Sequence, residues 1–216
     1  MQSRSQLFLL AFAMIYCSSI VASTVVANKL ILMPFQLSAT SAIICFSISF
    51  ILIDTAAEMY GSKVARSIVY IGLVSMIFSV AIFYLTIWLP PDQSWMHQSA
   101  FETTLGSTAR ICIAGLFAYF VSQRLDVVFY LALRRRIGGR YSVAGSAWVG
   151  MVVSQFIDTM IFIVAAFYGV IENSKLLNLF AGQYFAKLAA ATMLAPVIAL
   201  TIRTGRHWIA GGFNLK

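Results

Sequence analysis

Long apolar stretches separated by short polar segments run along this chain. Six windows are mostly apolar, and each is long enough, at about 20 residues for one helical span, to cross the hydrocarbon core of a bilayer. They lie near residues 6–27, 38–59, 68–90, 109–133, 143–168 and 183–203. The pattern predicts an all-α integral membrane protein in which residues 1–216 form a single domain of six transmembrane helices.

The composition agrees with this prediction. Of the 216 residues, 61% are hydrophobic and only 10% are charged, whereas soluble domains have roughly 25% charged residues. The first apolar stretch lacks a small-residue cleavage site, so we interpret it as helix 1 and not as a removed signal peptide. Cys17, Cys45 and Cys112 all fall inside predicted spans, and their spacing indicates neither a disulfide nor a metal site.

The net charge of +8 is concentrated in alternate loops. The segments after the second, fourth and sixth predicted helices are strongly basic, whereas the intervening loops carry few or mixed charges. By the positive-inside rule, this places both the N and the C terminus in the cytoplasm. The basic excess is therefore a topology signal beside the lipid bilayer, and we expect no nucleic-acid partner. The basic residues are Lys63, Arg66, Arg134, Arg135, Arg136, Arg140, Arg203, Arg206 and Lys216.

Acidic residues inside the predicted spans are the first candidates for a functional site. The stretch ILIDTAAEMYG, residues 51–61, places Asp54 near the middle of the second helix, with Glu58 at i+4 on the same face. Asp158 lies inside the fifth helix, with Gln155 three residues before it. A charged side chain at the centre of a span opposes insertion by about 2.5–3.5 kcal/mol. These acids should therefore face a cavity or a partner.

Two interpretations of these polar groups stay open. In the first, they form interhelical pairs with Lys187, Arg124 or Arg110, or are protonated and form packing hydrogen bonds. We favour such a structural role for Asp126, which shares a helix face with Gln123 near the basic end of helix 4. In the second, they converge on a binding site. We favour the second interpretation for the three acids of helices 2 and 5.

A short repeat links the same two helices. Ile53-Asp54-Thr55 in helix 2 recurs as Ile157-Asp158-Thr159 in helix 5. These are equivalent helices of a three-plus-three division, and they run in opposite directions across the membrane. An inverted-topology repeat would leave this pattern, with a binding site at the repeat interface near the midplane. The match covers only three residues, so it is a weak indication of a pseudo-repeat.

The chemistry of these groups suits a ligand with neighbouring N–H donors and a carbonyl acceptor. A carboxylate accepts two hydrogen bonds side by side, and an amide both donates and accepts. A guanine-like edge fits, and so do an amine, a cation or a proton relay. We considered Phe117, Tyr119, Phe156 and Trp148 as stacking surfaces for a ring. From the residues alone, the prediction is a carrier of a small polar or cationic solute.

A resemblance makes this prediction more specific. The run DTAAEMYGSKVAR, residues 54–66, resembles the signature of the queuosine precursor transporter family, also described as a vitamin uptake transporter family. The similarity continues in order with VVANKL at the end of helix 1, LPP before the long outer loop, LGSTARICIAGLFAYFVSQRLD in helix 4 and SQFIDTMIFIVAAFYG in helix 5. It implies six helices in a bacterial inner membrane. It also implies uptake of 7-deazaguanine bases for tRNA modification: the nitrile base, the aminomethyl base or queuine.

The resemblance also implies a set of substrate-binding residues. We expect one of the acids to pair with the N–H donors of the base and the amide on helix 5 to read its carbonyl. The two cations in the set would keep the acids ionised or gate the pocket. Where the family often has an acid one turn after the helix 6 lysine, this chain has Ala190 and Ala191. The set is Asn28, Asp54, Glu58, Arg110, Gln155, Asp158 and Lys187.

Other functional classes were weighed against a carrier. The alternative is a substrate-binding membrane subunit of an energy-coupling-factor vitamin importer, which would need a separate ATPase. The sequence contains no GxxxxGK[ST] motif, so we expect no ATP hydrolysis by this chain and no cofactor. An intramembrane hydrolase is disfavoured because a Gly-x-Gly-Asp-type motif is missing, and we expect no enzyme activity and no bound metal. The sequence leaves a homodimer open.

Overall fold

The structure is a computed structural model that describes the backbone of residues 2–136 and 142–210. It describes side chains for residues 4–122, 124–125, 149, 152–194 and 196–205. The sequence predictions made for Gln123, Asp126 and Trp148 lie outside the described side chains.

Within these ranges the chain is almost entirely helical, as predicted. Six long helices follow one another, and an antiparallel two-stranded hairpin lies between the first and the second. The strands are β1 (Leu30–Leu32) and β2 (Ser38–Thr40). The helices are α1 (Gln2–Val26), α2 (Ile43–Tyr60), α3 (Ser62–Trp88), α4 (Gln98–Arg136), α5 (Ser142–Phe167) and α6 (Asn173–Ala210).

Length and hydropathy identify membrane spans among the described residues. Four helical segments qualify on their own: Arg4–Val26, Ile43–Tyr60, Ser62–Trp88 and Gln98–Ser122. A fifth span results if the two parts of α6, which meet at a bend of 44°, count as one. The bend lies next to Pro196, whose ring removes a backbone donor and clashes with the preceding turn. In α5, the apolar segment Val152–Phe167 is shorter than these spans.

Contacts between helix ends show that neighbouring helices are antiparallel. The Tyr60 hydroxyl at the end of α2 donates to the Ser5 carbonyl at the start of α1, at 3.0 Å. The Tyr84 hydroxyl near the end of α3 donates to the Gly106 carbonyl near the start of α4, also at 3.0 Å. The last turns of α6 approach the first turns of α1, because an added Cβ at Gly205 would lie 2.8 Å from the Phe8 ring.

The hairpin corrects the predicted start of the second span. Residues 38–42 belong to β2 and a turn, and α2 begins only at Ile43. Leu30 pairs with Thr40 and Leu32 with Ser38, and the tip holds Phe35 in the left-handed region at φ 61°. The sequence did not indicate this hairpin, because its main partners are polar side chains of α6, more than a hundred residues away. The all-α fold class is confirmed for the described residues, and this short hairpin is a local addition to it.

Two helices are longer than their apolar windows predicted. The loop predicted over residues 91–108 is helical from Gln98, and α6 begins at Asn173 and not near residue 183. A hydropathy window finds the part of a helix that suits lipid, whereas polar turns can continue the same helix into the interface. The windows therefore located these helices but misplaced their outer ends.

Two groups of buried residues form the core. One joins α1, α2 and α3 through Phe12, Tyr16, Leu52, Ala56 and Ala65, among others. The other is centred on α4, α5 and the start of α6, and small residues such as Ala114, Ala118 and Ala166 allow α4 and α5 to pack closely there. A cavity lies between the two groups.

Candidate functional site

The cavity has a volume of about 250 Å³. All six helices contribute to its wall, which is mostly apolar. Drug-sized pockets have volumes of roughly 300–1,000 Å³, so this one suits a smaller ligand. One wall residue from each helix, in chain order, is Tyr16, Phe46, Met76, Tyr119, Asp158 and Lys187.

A buried ion pair is the main polar feature of the cavity. Lys187 on α6 donates from Nζ to Oδ2 of Asp158 on α5, at 2.7 Å. The Lys187 side chain is 2% exposed and that of Asp158 19%, so the carboxylate is the more accessible of these two wall residues. The ammonium also lies 5.0 Å from the centre of the Phe46 ring, within the range of a cation–π contact. Each charge thus compensates the other in a low-dielectric setting.

The second carboxylate oxygen is also engaged. Ser122 on α4 donates from Oγ to Oδ1 of Asp158 at 3.2 Å, and its backbone carbonyl accepts a bond from the Ser154 hydroxyl at 3.3 Å. Residues of α4, α5 and α6 therefore hold the carboxylate in one orientation. We had not predicted Ser122, because a single serine in an apolar helix gives no signal in sequence.

Gln155 lies one turn before Asp158 on the same face of α5, as the spacing predicted, and it lines the cavity. Its amide oxygen is buried without a hydrogen-bond partner among the described residues. A buried acceptor without a partner is costly, by about 1–3 kcal/mol. A rotation of the amide would turn this oxygen towards a ligand in the cavity, where an N–H donor could satisfy it.

The two acids of α2 lie outside the cavity wall. Phe50 and Ile53 line the cavity, whereas Asp54 and Glu58 are exposed on the surface of α2. Asp54 follows Phe50 at i+4, so it lies one turn beyond the cavity on the same face, and Glu58 lies one turn further towards the end of α2. The structure therefore brings Asp158, Gln155 and Lys187 together in the cavity wall and leaves the two acids of α2 outside it.

Arg110 and Asn28 bind backbone groups away from the cavity. Arg110 on α4 donates to the carbonyls of Ala165, at 2.9 Å, and Tyr168, at 2.5 Å. It thereby caps the C-terminal end of α5, where carbonyl groups lack helical partners. Asn28 donates to the Thr104 carbonyl at 3.1 Å and accepts from the Ser107 hydroxyl at 2.6 Å. It fastens the end of α1 to the start of α4, and neither residue lines the cavity.

Of the aromatic residues proposed for stacking, some line the cavity and others lie outside its wall. Tyr119 lines the cavity, whereas Phe117 and Phe156 have exposures of 60% and 43% and lie elsewhere. The other rings of the wall belong to Tyr16, Phe46, Phe50 and Phe162. Helical spacing alone could not separate them, because any of these residues can face lipid or protein. Among the described residues, no group of His, Cys, Asp and Glu side chains could hold a metal ion.

Comparisons with known proteins agree with the sequence resemblance. A family model described as "Putative vitamin uptake transporter" matches residues 40–201. A curated relative, "Probable queuosine precursor transporter" from Bacillus subtilis strain 168, is 30% identical over 162 residues, which cover 75% of this chain and 71% of the relative. No solved structure matches. The residues matched by the family model include every predicted site residue except Asn28.

Proposed function

Because this chain belongs to the vitamin uptake transporter family and is a membrane transporter, not an enzyme, we propose that it imports queuosine precursors across the bacterial inner membrane. The substrates are 7-deazaguanine bases: the nitrile base, the aminomethyl base or queuine. The name of the Bacillus relative supports this substrate class. The observation that carries the proposal is the small cavity that combines a mostly apolar wall with Asp158, Gln155 and Lys187.

The groups in the cavity match the edge of a deazaguanine. Asp158 faces the cavity as an acceptor, and the unpartnered oxygen of Gln155 offers a second acceptor for the neighbouring N–H groups of the base. The nitrogen of the same amide, or the Tyr119 hydroxyl, can donate to the carbonyl. Phe46 on α2 and Tyr119 on α4 line the cavity and supply apolar surface for the ring. Arg110 and Asn28 hold the helices that carry the site, and do not contact the base.

Asp54 and Glu58 belong to the path that leads away from the cavity. They continue the face of Phe50 towards the end of α2, where the chain turns at Gly61 with φ 88°. A base released from the cavity towards this end would pass Asp54 before Glu58. We assign Asp54 to the pocket mouth and Glu58 to the gate.

The proposed topology has six membrane spans with both termini in the cytoplasm. The end of the bundle that holds the start of α1 and the end of α2 carries Arg4, Lys63 and Arg66. The opposite end carries Asp92 and Glu102, which lie between the end of α3 and the first turns of α4. This segregation of charge supports placing the first end in the cytoplasm. For α5 the span would need the residues that precede Val152.

A three-plus-three inverted repeat is part of the proposal. The two core groups divide largely between α1–α3 and α4–α6, and the cavity lies between them. Thr55 and Thr159, the last residues of the repeated triplets, are both 0% exposed, and both hydroxyls are buried without a hydrogen-bond partner among the described residues. Equivalent positions in α2 and α5 thus have equivalent packing environments.

Binding and uptake of deazaguanines test the proposal. The melting temperature of the purified protein should rise with the concentration of at least one deazaguanine base and should not change with guanosine. Uptake of the labelled base into cells should fall at least tenfold in the Asp158→Asn variant. A matched control is Glu172→Gln, which removes an exposed acid paired with Lys175 outside the cavity and should leave uptake unchanged.

Two results would contradict the proposal. Normal uptake of every deazaguanine base by the Asp158→Asn variant would remove the cavity from the mechanism. A strict requirement for a copurifying ATPase would identify the protein as a subunit of an energy-coupling-factor importer instead. Uptake into liposomes that contain only this protein would exclude that alternative and support a self-sufficient carrier.

A further inference from the structure

The charges in the wall of the cavity cancel. Among the wall residues whose side chains the structure describes, Asp158 is the acid and Lys187 the base, and they contact each other. The other titratable groups in the wall are the phenols of Tyr16 and Tyr119. The pocket that receives the substrate is therefore electrically neutral as a whole, although it contains a carboxylate.

The compensating cation is held firmly. Three elements surround the Lys187 ammonium: α5 with Asp158 at 2.7 Å, α2 with the Phe46 ring at 5.0 Å, and α6 itself. At 2% exposure the side chain is almost completely buried. The other charged groups near the cavity do not change this balance, because Arg110 is bound to carbonyls at the end of α5 and the acids Asp54 and Glu58 lie outside the wall.

This arrangement treats neutral and cationic ligands differently. A neutral base gains hydrogen bonds from the carboxylate and the Gln155 amide without adding charge to the cavity. A base with an ammonium arm must lose its hydration, and the attraction of the Asp158 carboxylate is offset by repulsion from the Lys187 ammonium beside it. A carboxylate without such a neighbour would favour the cation instead.

We infer that Lys187 determines substrate specificity: it makes the cavity select deazaguanine bases with an uncharged substituent, such as the nitrile, over bases with a cationic aminomethyl arm. This inference rests on the proposed function, since it concerns the same cavity and the same class of substrate. Beyond the proposed function, it states that the site distinguishes substrates by the charge of the substituent, and that Lys187 sets this preference.

The experiment compares uptake of the labelled nitrile base and the labelled aminomethyl base by each variant, as a ratio. In the wild type, the ratio of initial rates should favour the nitrile base at least tenfold, which corresponds to about 1.4 kcal/mol. In Lys187→Gln the ratio should shift at least tenfold towards the aminomethyl base, because Asp158 is left without its counterion. In the double variant Asp158→Asn/Lys187→Gln, which is neutral again, the ratio should return towards that of the wild type.

Controls separate specificity from folding. Lys175→Gln removes an exposed lysine from the same helix and should leave the ratio unchanged. Protein amount in the membrane and elution on size exclusion are measured for every variant. If Lys187→Gln does not accumulate in the membrane, the uptake ratio is measured in the single variant Asp158→Asn. An uncompensated ammonium in the cavity should lower uptake of the aminomethyl base more than uptake of the nitrile base.

The outcomes distinguish this inference from the proposed function. Uptake of neither base by the wild type would contradict the proposed function itself. Uptake of both bases, with the same ratio in the wild type, Lys187→Gln and the double variant, would leave the proposed function standing and overturn the specificity role. A loss that affects both bases equally in Lys187→Gln would also overturn it, because that result indicates a purely structural ion pair.

Discussion

The hairpin between α1 and α2 depends on a glycine in α6, and this dependence gives a sharp prediction. A Cβ added at Gly182 would lie 1.9 Å from the carbonyl oxygen of Ser38 and 2.7 Å from its carbon. Both neighbours are backbone atoms of β2, so no side-chain rotation can relieve the clash. In the Gly182→Ala variant the hairpin must move away from α6 by about 1 Å to open the contact from 1.9 to 3.0 Å.

The expected loss of stability follows from the hydrogen bonds that such a movement would stretch. Asn178 accepts from the Ser38 N–H at 2.7 Å and donates to the Gln36 carbonyl at 2.9 Å. Gln183 accepts from the backbone N–H of Thr40 at 2.9 Å and from its hydroxyl at 3.2 Å. At about 1 kcal/mol for each bond, we expect Gly182→Ala to lower the free energy of unfolding by about 2–4 kcal/mol. At about 2–4 °C for each kcal/mol, this corresponds to a Tm lower by roughly 4–16 °C.

The assay is thermal unfolding of the purified protein in detergent, with and without a deazaguanine base. Gly106→Ala is the matched control, since nothing lies within 4 Å of an added Cβ there and alanine has a higher helix propensity than glycine. It should melt at the wild-type temperature or slightly above. Ala27 and Ala42, which flank the hairpin, line the cavity, so Gly182→Ala should also reduce the shift caused by the base. A Gly182→Ala protein that melts within a degree of the wild type would refute the reasoning.

Two further predictions concern the cap of α5 and the topology. Arg110→Gln should lower the free energy of unfolding by about 1–3 kcal/mol, because the carbonyls at the end of α5 lose a charged donor. The affinity for the base in a binding titration should stay unchanged. A loss of affinity without a loss of stability would instead support the predicted role of Arg110 in the pocket. Ser94→Cys should react with a membrane-impermeant maleimide in intact cells and Ser62→Cys only after permeabilisation. Ser62 lies exposed at the start of α3, and Ser94 lies exposed in the segment that follows the other end of that helix. The reverse labelling would contradict cytoplasmic termini.

The helices could be predicted from sequence because the bilayer imposes a simple rule on composition. A span needs about 20 apolar residues. Four described helical segments meet the length and hydropathy criteria, and α6 does so if its two parts count as one span, whereas the described apolar part of α5 is shorter. The same rule does not report on turns outside the hydrocarbon core, so the first turns of α4 and α6 were missed. The hairpin was missed for a different reason: its strands have three residues each, and their main partners, Asn178 and Gln183, lie far away in the chain.

The candidate site could be predicted in part from the cost of burying charge. That argument selected Asp158 and Lys187, because a carboxylate and an ammonium inside spans are expensive unless they meet. The same argument cannot say which way a helix faces, so it also selected Asp54 and Glu58, which lie outside the cavity wall. The family resemblance added Arg110 and Asn28 to the predicted site. It could not distinguish a ligand contact from a cap, because both uses satisfy a polar group near a helix end.

The repeated triplets lead to a final step in the argument. Thr55 and Thr159 are equally buried, whereas Asp158 is paired with Lys187 and Asp54 is exposed on α2. If the two halves exchange conformations during transport, as inverted repeats allow, Asp54 should approach the cavity in the opposite state. The exchange cannot be symmetric, however, because the sequence of α3 has no lysine or arginine after Arg66 that could match Lys187 of α6. We therefore expect the carboxylate on α5 to stay paired within the protein and the carboxylate on α2 to find its partner elsewhere during the cycle. On this hypothesis the two acids have different roles despite their shared local sequence.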